Sequence, residues 1–82
     1  MSRQYPIELH IGQRVLVHVN PTLHPVEATV AEINHEEGTI WVHPVGYKVH
    51  WNTDPRAIST KTGLFLNYED KQFYFHTKRM VN

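Results

Sequence analysis

The chain lacks cysteine, has few glycines and contains no long hydrophobic run. With no cysteine among its 82 residues, disulfides, thiol nucleophiles and cysteine-ligated zinc sites are excluded. The four glycines are dispersed, so the chain has no glycine-rich phosphate loop. No apolar run approaches the roughly 18 residues of a membrane span, and the first residues lack the apolar segment of a signal peptide. We therefore expect a cytoplasmic protein without a membrane partner.

Net charge of either sign is absent as well, but charge and histidine are unevenly placed. Eight Lys and Arg balance eight Asp and Glu, which argues against unspecific nucleic-acid binding driven by a basic surplus. Residues 1–50 carry three basic and five acidic groups, net −2, and residues 51–82 carry five basic and three acidic groups, net +2. The seven histidines would add positive charge on mild acidification.

Short stretches of alternating apolar residues dominate the sequence and predict strands. These stretches cover residues 12–19, 26–33, 39–43, 47–51, 64–68 and 72–76. Their alternation predicts that Val19 in the first stretch and Tyr47, Val49 and Trp51 in the fourth face the core. The apolar phase slips at Ile33, which predicts a bend or bulge near Ala31-Glu32. No segment has the pattern of an amphipathic helix beyond a single turn between residues 56 and 63. Residues 1–10 are interpreted as an N-terminal leader and residues 11–82 as one all-β domain.

Four segments of the chain resemble an SH3-like or Tudor-like barrel. They are Gly12-Gln13-Arg14-Val15, Ala28-Thr29-Val30, Gly38-Thr39-Ile40-Trp41-Val42 and Tyr47-Lys48-Val49. The resemblance implies a small barrel of five or six antiparallel strands. Barrels of this kind bind peptides, methylated side chains or nucleic acids, so the fold by itself selects no function. Small barrels often gain stability by association, which leaves a homodimer or higher homo-oligomer open.

Two short motifs also resemble the type II dihydrofolate reductases, which are SH3-like barrels of similar length. Gly12-Gln13-Arg14-Val15 is similar to their Gly-Asp-Arg-Val segment, and Lys71-Gln72-Phe73-Tyr74 to their Val-Gln-Ile-Tyr strand. The resemblance implies a symmetric tetramer in which Gln72 and Tyr74 line a central pore. Val17 departs from the pattern, because the family has at this place a lysine that holds anionic folate groups.

One sheet face is the first candidate site. Ile40 and Val42 would enter the core, so Trp41 should face outward, and exposed aromatics serve as interface anchors. His43, His18 and His50 are expected on the same outward side. We predict a non-enzymatic module that binds a protein partner through this face, with no cofactor. If the three histidines converge, a zinc site or a pH sensor is an alternative, although no His-X-His or His-Glu-X-X-His motif is present.

The C-terminal segment is a second candidate site. It combines aromatic and basic residues, the pairing that stacks bases and holds phosphates. The residues are Lys61, Lys71, Tyr74, Lys78 and Arg79. They predict nucleic-acid binding as the alternative function. Catalysis has little support, because neither serine lies in a nucleophile elbow and adjacent carboxylates occur only in apparent turns.

Overall fold

The protein folds as a single antiparallel sheet, which confirms the predicted all-β class. A computed structural model describes residues 9–20, 22–69 and 72–77. Its seven strands are β1 (Arg14–Val17), β2 (Val26–Asn34), β3 (Thr39–Pro44), β4 (Trp51–Thr53), β5 (Ile58–Ser59), β6 (Leu64–Glu69) and β7 (Gln72–Thr77). A 3₁₀ helix over Pro55–Ala57 joins β4 to β5.

The strands follow the order β4-β3-β2-β1-β5-β6-β7. The first four form a meander, β5 pairs with the other side of β1, and the β6–β7 hairpin extends the sheet from β5. Within the described residues no pairing joins β4 to β7, so the sheet is not closed and the prediction of a closed barrel is wrong. Closure between β5 and β4 is prevented because β6 occupies the free edge of β5.

The core lies on one side of the meander and extends under the hairpin. Its buried apolar residues are Leu9, Val15, Val17, Ala28, Val30, Ile40, Val42, Ile58, Leu66, Phe73 and Phe75. Those on β1, β2 and β3 follow the two-residue period of a strand with one buried face. Phe73 and Phe75 show that β7 contributes to the same core. The hairpin is therefore an integral part of the fold.

A bulge divides β2 into two parts, as the sequence predicts. The register with β3 shifts between Val30 and Glu32. Val30 is buried, and Ile33 packs against the core although it lies three residues further on. The extra residue thus keeps Ile33 on the core side and places Glu32 in solvent, which is how a bulge resets the alternation of faces.

The strand predicted over residues 47–51 is wrong. Only Trp51 of that segment lies in β4, and the preceding residues form a turn and a bend. Gly46 has φ +89°, and the Tyr47 amide donates to the Pro44 carbonyl at 3.1 Å. This turn leaves Tyr47 and Val49 exposed at 50% and 56%, although their alternation with Trp51 predicts an inward face. Val19, predicted inward, is also exposed because β1 ends at Val17.

Candidate functional site

The outward side of β3 carries the two central residues of the first candidate site. Ile40 and Val42 are fully buried, and Trp41 and His43 alternate with them on the exposed side. Trp41 retains 36% of its surface. The predicted outward position of Trp41 is therefore confirmed, while its role in binding stays a prediction.

His50 joins these residues from the far end of the β3–β4 loop. Its ring lies against that of His43, with ring centroids 5.1 Å apart. His43 Nε2 also lies 2.7 Å from the Tyr47 carbonyl oxygen. A carbonyl only accepts a hydrogen bond, so Nε2 of His43 carries the proton and donates. The two histidines thus hold the start and the end of the loop on one surface.

The loop adds an aromatic residue that sequence reasoning assigned to the core. The Tyr47 ring packs against Trp51 with centroids 5.3 Å apart, but half of its surface is exposed. Trp51 is opposite the buried Val42 and packs against the core, so the Tyr47 ring lies toward the core side of the sheet edge. We call Trp41, His43 and His50 the aromatic–histidine face. The signal that could have predicted the exposure of Tyr47 is Pro44-Val45-Gly46, a turn motif directly before it.

An acidic residue borders the same face. Glu32 on β2 is in register with Trp41 on β3, and residues opposite each other on neighbouring strands have adjacent side chains. With Ala31 and His50, these two residues line an open depression of about 410 Å³. The sequence analysis did not include Glu32 in the candidate site. The predicted bulge and the predicted outward position of Trp41 together would have placed Glu32 and Trp41 on the same side of the sheet.

The structure separates His18 from the other two histidines. Its ring packs against Phe65 with centroids 4.7 Å apart, and its Nε2 lies 2.7 Å from the Ser59 hydroxyl. Arg14 is in register with His43 through β2, and His18 follows it by four residues, roughly 13 Å along a strand. His18 therefore does not belong to the aromatic–histidine face.

A second concavity surrounds His18. This cleft of about 470 Å³ is also lined by Leu23 from the β1–β2 loop and by Asp54 and Arg56 at the 3₁₀ helix. Asp54 caps that helix by accepting from the Arg56 amide at 2.8 Å. Hydrogen bonds from the Arg56 guanidinium, with Nε at 3.2 Å, lower the pKa of the Asp54 carboxyl. The two charges offset each other, so the cleft has no dominant sign.

The basic residues of the second candidate site are only partly within the described structure. Lys61 forms an ion pair with Glu27 at 2.8 Å, and Glu27 also pairs with Arg14 at 3.0 Å. Lys71, Lys78 and Arg79 lie outside the described residues. For Gln72 and Tyr74 the structure gives the backbone in β7 alone. Convergence of the basic residues and the pore of the reductase resemblance therefore stay predictions.

Two further findings on the described residues and the comparisons with known proteins complete the description of the site. No helix in the described part of the chain has the length and apolarity needed to cross a membrane. Over residues 9–20, 22–69 and 72–77, no three histidine or carboxylate side chains are grouped so that they could hold a metal ion. Searches of the chain against protein-family models, curated proteins and solved structures find no match.

Proposed function

We propose that the protein is a non-enzymatic interaction module that binds a protein partner through the aromatic–histidine face. The observation that carries the proposal is an exposed tryptophan on the outward side of β3, together with further exposed apolar side chains in the β3–β4 loop. Trp41 is 36%, Val45 51%, Tyr47 50% and Val49 56% exposed. Tryptophan and tyrosine are enriched among residues that dominate binding energy at protein interfaces. Exposed apolar patches mark interaction sites.

The strand order supports an SH3-like arrangement for β1 to β5. The meander β4-β3-β2-β1 continues to β5 on the other side of β1, and a 3₁₀ helix lies between β4 and β5. The resemblance drawn from the sequence implies a small antiparallel barrel, and the observed sheet is open but compatible with a small β fold of this kind. SH3-like domains are mostly binding modules, which is an argument by analogy and weaker than the argument from the face itself.

The face is favoured over the basic C-terminal segment by its charges. Lys61 is paired with Glu27, so it is not available to a phosphate without breaking an existing contact. The aromatic–histidine face instead presents an indole and two imidazoles with one carboxylate at its border. Such a surface suits a protein partner better than a polyanion.

The proposal is tested by affinity capture from the native host with matched variants. The immobilised wild-type chain is compared with Trp41→Ala and with the control Leu23→Ala. Leu23 is 64% exposed but lies in the cleft around His18. We expect a protein that is retained by wild type and by Leu23→Ala and is lost with Trp41→Ala.

Purified partner is then titrated against the same three chains by calorimetry. Removal of an interface tryptophan should weaken binding by about 2 kcal/mol or more, roughly 30-fold. Equal binding of all three chains would refute the role of the face. Loss with Leu23→Ala alone would move the binding site to the cleft around His18. The circular dichroism spectrum of each variant must match that of wild type, so that unfolding of a variant is not mistaken for loss of a binding contact.

A further inference from the structure

We propose that the depression beside Trp41 receives a basic side chain, lysine or arginine, of the partner protein. The proposal rests on the proposed function and adds the chemical class of the group that the face recognises. The depression is lined by Ala31, Glu32, Trp41 and His50. It combines a large aromatic ring with a carboxylate, and it lies on the aromatic–histidine face.

The first argument is the pairing of Glu32 with Trp41. The two residues are in register across β2 and β3, and both are exposed. The face of an indole attracts a cation through its quadrupole, and a carboxylate attracts it by charge and by hydrogen bonding. A cation on an apolar stem satisfies both residues at once. Lysine and arginine side chains have this form.

The second argument is that the charge of Glu32 is not used inside the described structure. The ion pairs found there join Glu27 to Arg14 and Lys61, and Asp54 to Arg56. Glu32 takes part in none of them. Lys48, the basic residue of the β3–β4 loop, is not among the residues that line the depression. Within residues 9–20, 22–69 and 72–77, the carboxylate of Glu32 therefore has no cationic partner and can bind a cation of another protein.

The third argument is the bulge, which places the carboxylate where it can meet a partner. An unbroken β2 would alternate from the buried Val30 through an outward Ala31 to an inward Glu32. The register shift instead leaves Glu32 exposed and opposite Trp41. Bulges commonly re-aim a side chain next to a functional site.

The inference is tested with small probes that mimic the guest. Arginine and lysine, each blocked as the N-acetyl amide, are titrated against the chain while the indole N–H signals are followed by NMR. The matched neutral probe is N-acetylcitrulline amide, which has the shape of arginine without its charge. The Trp41 signal is assigned from its disappearance in Trp41→Leu. We expect it to shift with the two cationic probes and to change little with citrulline.

Two variants assign the binding to Glu32. Glu32→Gln should weaken binding of the arginine probe by about two- to fivefold, the range for one exposed ion pair. Glu36→Gln, which removes an exposed carboxylate in the β2–β3 turn, should leave it unchanged. Equal binding of citrulline, or equal effects of the two variants, would overturn the inference. Absence of any shift of the Trp41 signal at saturating probe would also overturn it.

The same variants separate this inference from the proposed function. A captured partner that is lost with Trp41→Ala but bound equally by wild type and Glu32→Gln supports the face and rejects the basic guest. A partner bound equally by wild type and Trp41→Ala rejects the face itself. A partner weakened by both changes, with Glu36→Gln neutral, supports both proposals.

Discussion

Two glutamates on β2 show how position decides what a carboxylate does. Glu27 lies between Arg14 and Lys61, at 3.0 and 2.8 Å. Hydrogen bonds from Lys61 and then from Arg14 lower the pKa of the Glu27 carboxyl. Glu32, five residues later, lies beside an indole with no ion pair among the described residues. The first carboxylate therefore joins parts of the chain, and the second is the one for which we propose a cation of a partner.

The role of Glu27 predicts a loss of stability on acidification. Its folded pKa lies below the unfolded value of 4.5, so the stability it contributes is present above that pH and is lost as the pH falls through the folded pKa. We expect Glu27→Gln to be less stable than wild type at pH 7, with a difference that becomes smaller at pH 3. Urea unfolding at the two pH values measures the difference.

Glu36→Gln is the control for this prediction, since Glu36 is exposed and takes part in none of the described ion pairs. It should match wild type more closely than Glu27→Gln does at pH 7. A stability gap for Glu27→Gln that has the same size at both pH values would show that Glu27 acts through packing rather than through its charge.

At the scale of elements, the β2–β3 turn is fixed by a contact from a distant strand. The Gly38 amide donates to the Asn34 carbonyl at 2.9 Å, and Gly38 has φ +72°. Tyr68 on β6 donates its hydroxyl hydrogen to the His35 carbonyl. A Cβ on Gly38 would lie 2.9 Å from Cε2 of the Tyr68 ring. The turn therefore joins the meander to the β6–β7 hairpin.

This contact predicts that Gly38→Ala destabilises more than Gly46→Ala. Both glycines have positive φ, which costs an alanine about 1–2 kcal/mol. A Cβ on Gly46 meets nothing within 4 Å, so Gly46→Ala measures the backbone cost alone. Gly38→Ala must also displace Tyr68, and we expect its urea midpoint to fall further. Equal losses for the two variants would show that the Tyr68 ring moves aside at no cost.

The strands that the sequence predicts well are those with a local pattern. β2, β3, β6 and β7 carry an alternation of four or more residues, and each lies within two residues of its predicted bounds. The two-residue β5 is too short to show any alternation. The segment before β4 has the alternating apolar residues of a strand but forms a turn. Gly46 and the hydrogen bond between His43 and the Tyr47 carbonyl stabilise that turn more than the alternation favours a strand.

At the scale of the whole molecule, the core extends from the meander into the hairpin. Phe73 and Phe75 are 5% and 3% exposed, and Leu66 is 1% exposed. Because β6 pairs with the short β5, the hairpin is connected to the meander mainly through these side chains and Tyr68. We therefore expect the β6–β7 hairpin to contribute strongly to the stability of the meander.

This arrangement predicts a large effect of Phe75→Ala. Truncation of a buried phenylalanine costs about 3–5 kcal/mol, a large part of the roughly 5–15 kcal/mol by which small domains are stable. Tyr47→Ala, at a half-exposed ring, should cost much less. Denaturant unfolding compares the two, and Phe75→Leu provides a milder variant if Phe75→Ala does not fold. Similar stability of Phe75→Ala and Tyr47→Ala would mean that the hairpin is an appendage.

The candidate site could be predicted only in part, because it depends on contacts between strands. Trp41 and His43 follow from the alternation of β3 alone. Glu32 requires both the bulge and the register of β2 with β3. Alternation along the chain predicts that His18 faces outward on the same side as His43. Contacts with the Phe65 ring and the Ser59 hydroxyl instead hold His18 in another concavity.

The bulge at Ala31 also bears on how related sequences should be compared with this one. Loss of Ala31 would restore a regular strand in which Val30, Glu32 and Ile33 keep their partners on β3, so Glu32 would stay opposite Trp41 and Ile33 opposite Ile40. Loss of a residue within the regular part of β2 before Val30 would instead exchange the faces of the residues on one side of the gap. Two gaps of one residue would look alike in an alignment, yet we expect the one at Ala31 to be tolerated and the other to disrupt the core.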